Sequence, residues 1–204
     1  TRLFNKRPAE FVRAQDGPAS LITAAGVFFH LEELHSVVKG IVTLLKPDGV
    51  FVVQAIYLGG MIENTAFDQI YHEHLCYFSL IALAGCFRRH GLTIADVERV
   101  PIHGGSLRLF ASLGGGSGPR VAALLAEEEG WGVRTDAPYR AFARRVKDIK
   151  VELRDLLGRL KAEGKRIAAY GASAKGSTLL NYCGIGRETL DFVADRSPVK
   201  QGRY

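Results

Sequence analysis

Five side chains that can transfer protons lie close together in residues 67–79, called here the acid–base segment. They are Tyr71, His72, Glu73, His74 and Tyr77. An imidazole titrates near neutral pH, and burial can tune a carboxylate or a phenol toward it, so these groups suit general acid–base chemistry. We expect one histidine to act as a base, with the glutamate and a tyrosine holding its tautomer and charge. The alternative is a loop of half-buried polar residues without a catalytic role.

A metal site is a second hypothesis for this segment. His72 and His74 flank Glu73 and would share one face of a strand. A site needs a third protein ligand, and His30 and His103 are the only obvious donors. We therefore favour acid–base chemistry and expect no metal.

The apolar pattern before this segment predicts the elements that position it. Residues 20–29 are typical of a buried strand, with His30 at its end. Residues 31–45 have the spacing of an amphipathic helix, residues 46–49 are turn formers, and residues 49–56 predict a second buried strand. This succession indicates a parallel sheet with a crossover helix. The acid–base segment would then lie at the carboxyl edge of the sheet, where open α/β folds bind ligands.

An antiparallel hairpin is predicted to finish this sheet. Residues 80–90 predict a helix, and residues 92–100 and 106–112 predict two strands joined by a short turn. A parallel sheet that ends in a hairpin is the pattern of the later half of the S-adenosylmethionine-dependent methyltransferase fold. In the turn, His103 and Ser106 flank two glycines that would allow a ligand to approach, although a hairpin turn favours the same glycines.

A glycine-rich run at residues 114–118 is the best candidate for a domain boundary. We predict one domain over residues 1–113 and a second over residues 114–204. The second would begin with a short helix at residues 120–129 and a long helix that ends near Glu163. The apolar stripe of the long helix indicates packing rather than ligand binding.

A second candidate site is a glycine turn, residues 171–176, between a short strand and a helix. This layout aims backbone N–H groups at a phosphate. The turn completes neither common phosphate motif, because Ser177 replaces the lysine of a P-loop and Ser173 replaces the second glycine of a dinucleotide fingerprint. Asp191 and Asp195 follow at about the distance of a ribose-binding acid.

The composition is typical of a globular protein, with 47% apolar and 24% charged residues. The net charge of +6 has no dense basic tract, which favours a small anion such as a sugar nucleotide over a nucleic acid. Three cysteines without a CxxC pair argue against a disulfide framework or a zinc knuckle. No segment approaches the roughly 20 apolar residues of a membrane helix, and no secretion signal is found, so we expect a cytoplasmic protein without a membrane partner.

Four segments together resemble the sugar C-methyltransferases that act on nucleotide-activated keto-sugars. They are FDQIYHEHLCYFSL, VPIHGGSLRLF, YGASAKGSTLLNYCGIG and DFVADRSPVKQGRY. The resemblance covers about residues 20–204 and implies an N-terminal zinc-binding domain with cysteine ligands, a methyltransferase domain and a C-terminal Rossmann-like domain. The chain would then be an internal piece of an α/β protein, without the zinc domain. It would hold the second half of a Rossmann-like class I methyltransferase sheet with its terminal antiparallel hairpin, followed by the start of the second Rossmann-like domain.

The resemblance implies S-adenosylmethionine as the methyl donor and a carbon beside the ketone of a dTDP-linked deoxysugar as the acceptor. A ketone acidifies the neighbouring C–H, a base removes that proton, and the enolate attacks the methyl group. The family's base matches His74, with Tyr71 and Glu73 beside it, and His30 matches a substrate-site histidine. The chain departs from the family at Ala25-Gly26, where two asparagines are common.

The motifs and the resemblance together predict a set of substrate-binding residues. They are His30, His72, His103, Ser106, Tyr170, Gly171, Ser173, Lys175, Gly176, Asp195 and Arg196. Two other functions stay open from the residues alone: a non-catalytic sugar-nucleotide binding module, and an NAD-dependent sugar-nucleotide oxidoreductase that uses the Gly171 turn. The sequence leaves the oligomeric state open.

Overall fold

A computed structural model describes residues 3–202, which form two compact units. The first unit holds the described residues up to 64 and residues 73–138, and the second holds residues 65–72 and the described residues from 139 on. The chain therefore passes from one unit to the other inside the acid–base segment, between His72 and Glu73. The domain boundary predicted after residue 113 stays a prediction.

A four-stranded sheet with strand order β1-β2-β4-β3 forms the centre of the first unit. Its strands are β1 (Ala19–Ala25), β2 (Leu45–Ile56), β3 (Leu92–Val100) and β4 (Ser106–Leu113). β1 and β2 are parallel, whereas β4 is antiparallel to both β2 and β3. This arrangement confirms the predicted α/β class, with parallel strands followed by an antiparallel hairpin.

The first unit also contains α-helices. They are α1 (Lys6–Asp16), α2 (Leu34–Leu44), α3 (Leu58–Glu63), α4 (Leu80–Arg88) and α5 (Pro119–Gly130). α2 buries its apolar residues at the predicted three- and four-residue spacing, and α5 follows the glycine run with Pro119 at its first turn. The sequence did not predict α1, whose first turn is capped by the Asn5 side chain, or the short α3.

The predicted end of the first strand is wrong. The strand predicted over residues 20–29 already ends at Ala25. Gly26 follows with a positive φ of 68°, and Phe28–His30 form a 3₁₀ helix. His30 therefore lies in a turn beyond the strand rather than directly at its end.

The predicted turn before the second strand is also wrong. The turn formers at residues 46–49 do not end an element, because β2 starts at Leu45. The pairing of β2 with β1 instead shifts between Ala19–Leu45 and Leu21–Val50. The turn formers thus form an irregularity inside β2.

An aromatic cluster joins the turn after β1 to the rest of the core. The Phe28 ring centroid lies 6.0 Å from each of the rings of Phe51, Phe78 and Phe87. All four side chains are buried. Since Phe78 belongs to the acid–base segment, the core fixes the carboxyl end of that segment.

The second unit has helices α6 (Ala137–Ala162) and α7 (Ala174–Cys183) and two parallel strands, β5 (Ala168–Tyr170) and β6 (Phe192–Ala194). The succession of strand, glycine turn and helix predicted around Gly171 is confirmed. Phe67, in the 3₁₀ helix Phe67–Gln69, places its ring 5.1 Å from that of Tyr182 on α7. Among residues 3–202, no helix combines the length and the apolar character needed to cross a membrane.

Candidate active site

His74 occupies a mostly buried position next to the turn that follows β1. Its side chain is 8% exposed and its ring packs edge-on against Phe29, with centroids 4.7 Å apart. The rings of His30 and Tyr77 lie 5.1 Å and 6.4 Å from that of His74. The fold thus gathers two histidines and a tyrosine beyond the carboxyl end of a parallel strand, where α/β sheets bind ligands.

Backbone hydrogen bonds hold the segment around His74 at two places. The N–H groups of Leu75 and Cys76 donate to the carbonyl oxygen of Phe29, at 2.9 Å and 3.2 Å. Further along, the N–H of Leu58 donates to the carbonyl oxygen of Phe78 at 2.9 Å. The segment is therefore tied both to the turn after β1 and to the residues that follow β2.

The position of the proton on the neutral His30 ring follows from its partner. Nδ1 of His30 lies 2.5 Å from the backbone carbonyl oxygen of Glu73. A carbonyl oxygen can only accept a hydrogen bond, so Nδ1 carries the proton. When the ring is neutral, its Nε2 is therefore unprotonated and can accept a proton or a hydrogen bond.

The four consecutive residues of the Tyr-His-Glu-His motif divide between the units. Glu73 and His74 belong to the first unit, and Tyr71 and His72 belong to the second. In the second unit the Tyr71 and His72 rings lie 6.5 Å apart, with Tyr71 half-buried and His72 exposed. The supporting roles predicted for Tyr71 and Glu73 and the substrate role of His72 stay predictions.

The turn between β3 and β4 approaches the backbone of α3 closely at Gly105. Gly105 has a φ of 123°, and a Cβ on it would lie 3.3 Å from the Cα of Gly60 in α3. The carbonyl oxygen of Gly105 accepts the N–H of Tyr57, and the Ser106 hydroxyl, buried at 2% exposure, donates to the carbonyl of Ile102. This turn thus packs against α3.

The His103 side chain, in the same turn, is exposed on a backbone with a φ of 54°. The substrate roles of His103 and Ser106 stay predictions.

Glu128 is a buried residue of this region that the sequence reasoning missed. It lies on α5 with 0% exposure, and its two carboxylate oxygens accept the backbone N–H groups of Leu80 and Ile81, at 2.6 Å and 2.8 Å. Burial raises the pKa of the Glu128 carboxyl, while the two backbone donors act to lower it. One sequence signal was available, because Val121 and Leu124 precede Glu128 at helical spacing and place it on the buried face.

Tyr57, directly after β2, is a second missed residue. Its side chain is buried, and the guanidinium carbon of Arg99 lies 5.2 Å from the centre of its ring. Burial, reinforced by the charge of Glu128, raises the pKa of the Tyr57 phenol far above its usual value. The absence of a side chain at Gly59 accommodates this ring, since a Cβ there would overlap the ring carbons of Tyr57.

The Gly171 turn of the second unit is tied to the end of β6. The Ser173 hydroxyl caps α7 by accepting the N–H of Gly176 at 3.0 Å. Asp195 accepts the N–H groups of Ala172 and Ser197, at 2.7 Å and 2.8 Å, and these bonds hold the pKa of its carboxyl below the usual value. The ribose contact predicted for Asp195 stays a prediction, and the structure shows that the Asp195 carboxylate fixes the turn.

The other predicted residues of this unit surround the turn with different degrees of exposure. Tyr170 is 82% exposed, Arg196 is exposed and Lys175 is half-buried. Gly171 has a φ of 92°, a conformation that residues other than glycine rarely adopt. Their roles in substrate binding stay predictions.

The first unit also contains a cavity of about 780 Å³ beside β1 and α2. Its wall is mainly apolar and includes Phe28 and Ile41. Its polar members are Asn5, Thr23, His30, Glu32 and Glu33. Its size is in the range of roughly 300–1,000 Å³ of small-molecule sites. Within residues 3–202, no group of three or more His, Cys, Asp or Glu side chains is arranged to hold a metal ion.

Solved structures that resemble part of the chain include two in complex with S-adenosylmethionine. The structure of LepI with S-adenosylmethionine has 12% identity and a TM-score of 0.40, over 48% of this chain and 27% of that one. The second is the O-methyltransferase NcsB1 from neocarzinostatin biosynthesis, with S-adenosylmethionine and 2-hydroxy-5-methyl naphthoic acid. It has 19% identity and a TM-score of 0.36, over 47% of this chain and 29% of that one.

Comparisons of sequence identify the family. Residues 101–204 match the model of a C-methyltransferase C-terminal domain, and residues 3–97 match that of a methyltransferase domain. C-methyltransferase NovU from Streptomyces niveus is 38% identical over 203 residues, which are 98% of this chain and 48% of that protein. The chain thus spans about half the length of this curated relative. Because the C-methyltransferase model matches about half of the chain, the chain belongs to the C-methyltransferase family.

Proposed function

We propose that the protein transfers a methyl group from S-adenosylmethionine to the carbon beside the ketone of a nucleotide-activated deoxysugar, with His74 as the base. The observation that carries this proposal is the position of His74, mostly buried between Phe29 and His30 beyond the carboxyl end of β1. Proton removal from a weak carbon acid requires a base that is fixed in place and partly shielded from water.

His74 would remove the proton next to the ketone. The backbone hydrogen bonds from Leu75 and Cys76 to Phe29 restrict how far the His74 imidazole can move. Less conformational entropy is therefore lost when the base is aligned with the substrate proton. With a protonated ring, His30 would stabilise the negative charge that develops on the ketone oxygen. With a neutral ring, His30 would orient the sugar through its Nε2.

The cavity beside β1 suits the methyl donor. Its apolar wall fits an adenosine ring system, and the carboxylates of Glu32 and Glu33 add negative charge for a donor that carries a positive sulfonium. When bound, the donor supplies an electrophilic methyl group. In the second unit, Tyr170, Lys175 and Arg196 stay the proposed contacts of the sugar nucleotide.

Replacing His74 by glutamine in the full-length protein tests the base. Methyl transfer to a dTDP-linked keto-deoxysugar should fall about 10²–10⁴-fold, because general-base catalysis contributes that much. The same substitution should lower the rate at which the proton on the carbon beside the ketone exchanges for deuterium in heavy water. This exchange is measured without the methyl donor, because it needs only the base.

His35→Gln is the matched control, because His35 is an exposed histidine of α2 outside the proposed site. It should keep both rates. Near wild-type transfer and exchange in His74→Gln would remove the base assignment, and transfer to a methyl acceptor without a ketone would remove the substrate class.

A further inference from the structure

We propose that Glu128 is a positioning residue for His74, an inference that rests on the proposed function. Glu128 approaches α4 from α5 and lies 48 residues beyond Leu80 in the sequence. Its Oε1 accepts the backbone N–H of Leu80, and its Oε2 accepts the backbone N–H of Ile81. A fully buried carboxylate with two such partners fixes the beginning of α4 against α5.

The beginning of α4 directly follows the end of the acid–base segment. Ser79 is the N-cap of α4, and its hydroxyl accepts the N–H of Ala82 at 3.1 Å. Glu128 and Ser79 together satisfy three of the four N–H groups that a helix start leaves without helical partners. A local cap alone would leave Leu80 and Ile81 to water or to other groups, so the role of Glu128 goes beyond ordinary capping.

The residues between His74 and α4 are thereby held at both ends. At one end, Leu75 and Cys76 bond to the carbonyl of Phe29. At the other end, Leu80 and Ile81 bond to Glu128. Because the connection from Cys76 to Leu80 is short, a shift of the α4 start is transmitted to the neighbours of His74. A displacement of about 1 Å at a catalytic group can lower a rate as much as 10²-fold.

The charge of Glu128 is part of this arrangement. Burial raises the pKa of the Glu128 carboxyl, whereas the two N–H donors and the positive end of the α4 dipole favour its carboxylate form. Glutamine has nearly the same shape, but its amide offers one oxygen and places an N–H₂ group against a backbone donor. Glu128→Gln therefore removes the two-point contact with little change in volume.

The test measures Glu128→Gln in the full-length protein. We expect kcat and the rate of substrate deuterium exchange to fall about 10- to 100-fold, following the loss expected for a misplaced catalytic group. The KM values for donor and acceptor should stay within about 2-fold of the wild-type values, because the variant leaves the contacts that bind the two substrates unchanged. Rates are expressed per folded molecule, with the folded fraction taken from the stoichiometry of donor binding.

Glu129→Gln is the matched control, because Glu129 is an exposed residue of the same helix that pairs with Arg134. It should keep wild-type kcat. If Glu128→Gln does not fold, Glu128→Asp replaces it, since the shorter carboxylate keeps the charge but withdraws from α4. Wild-type kcat and exchange in either folded variant would overturn the positioning role.

His74→Gln, measured in the same assays, separates this inference from the proposed function. Full activity in His74→Gln overturns the base and with it the positioning role. Reduced activity in His74→Gln together with full activity in Glu128→Gln overturns the positioning role alone.

Discussion

At the scale of single residues, a histidine pair outside the proposed site makes stability depend on pH. Nδ1 of His35 on α2 lies 2.8 Å from Nε2 of His90, which follows α4. Partial burial, together with the positive charges of His35, Lys39 and Arg89, lowers the pKa of His90 below its usual 6.5. The native state therefore binds this proton less readily than the unfolded state does. The contribution of His90 to stability is present above about pH 6.5 and is lost as the pH falls from there through the folded pKa.

The His35→Gln variant tests this coupling. Removing the His35 charge should raise the pKa of His90 toward 6.5, without reaching it, because burial is the larger cause. An NMR titration of the His90 ring measures the shift. An unchanged or lower pKa would contradict the coupling.

The residues proposed to do the chemistry were easier to pick out from the sequence than the residue proposed to hold them. His74 and His30 were proposed because histidines are rare and stand in a recognisable motif and near a strand end. Glu128 stands between two other glutamates, and only the burial of one helix face distinguishes it. Its partners Leu80 and Ile81 contribute backbone N–H groups, which every residue except proline has, so the residue types give no signal for this contact.

At the scale of elements, the contact between the hairpin turn and α3 predicts a stability difference between two glycines. Gly105→Ala should destabilise the protein by roughly 1–3 kcal/mol, because a Cβ at a positive φ is strained and would press on Gly60. Gly116→Ala is the control, since Gly116 has neither a positive φ nor an atom within 4 Å of its Cβ position. It should change stability by about 0.5 kcal/mol or less. Denaturant unfolding measures both, and equal losses would contradict the role of the close contact.

Hydrophobic runs predicted the strands of the first unit but misplaced their ends. The run at residues 20–29 continues through Phe28 and Phe29 because these rings are core residues, although the backbone leaves the strand before Gly26. A buried strand and a buried 3₁₀ helix both appear in the sequence as an apolar run. Only the turn at Gly26 separates the two elements. The hairpin of β3 and β4 was predicted well, because the glycine turn between its strands is a strong local signal.

At the scale of the molecule, the family and the order of most elements could be predicted, and the domain boundary predicted after residue 113 stays a prediction. The glycine run at residues 114–118 marks a flexible composition, yet it lies within the first unit together with α5. α5 packs on β3 and α4, and contacts between residues so far apart in sequence cannot be read from local composition.

The position of β1 in the sheet has a consequence for how the chain behaves in concentrated solution. Among the described strands, β1 pairs with β2 alone, so its other edge presents backbone donors and acceptors that the described sheet does not use. Leu21 on this strand is 59% exposed. An apolar strand with an open edge is a template for pairing between chains, and natural proteins often protect such edges with lysine. Leu21→Lys should therefore raise the concentration at which this chain, prepared alone, begins to scatter light, whereas equal or earlier scattering would show that association starts elsewhere.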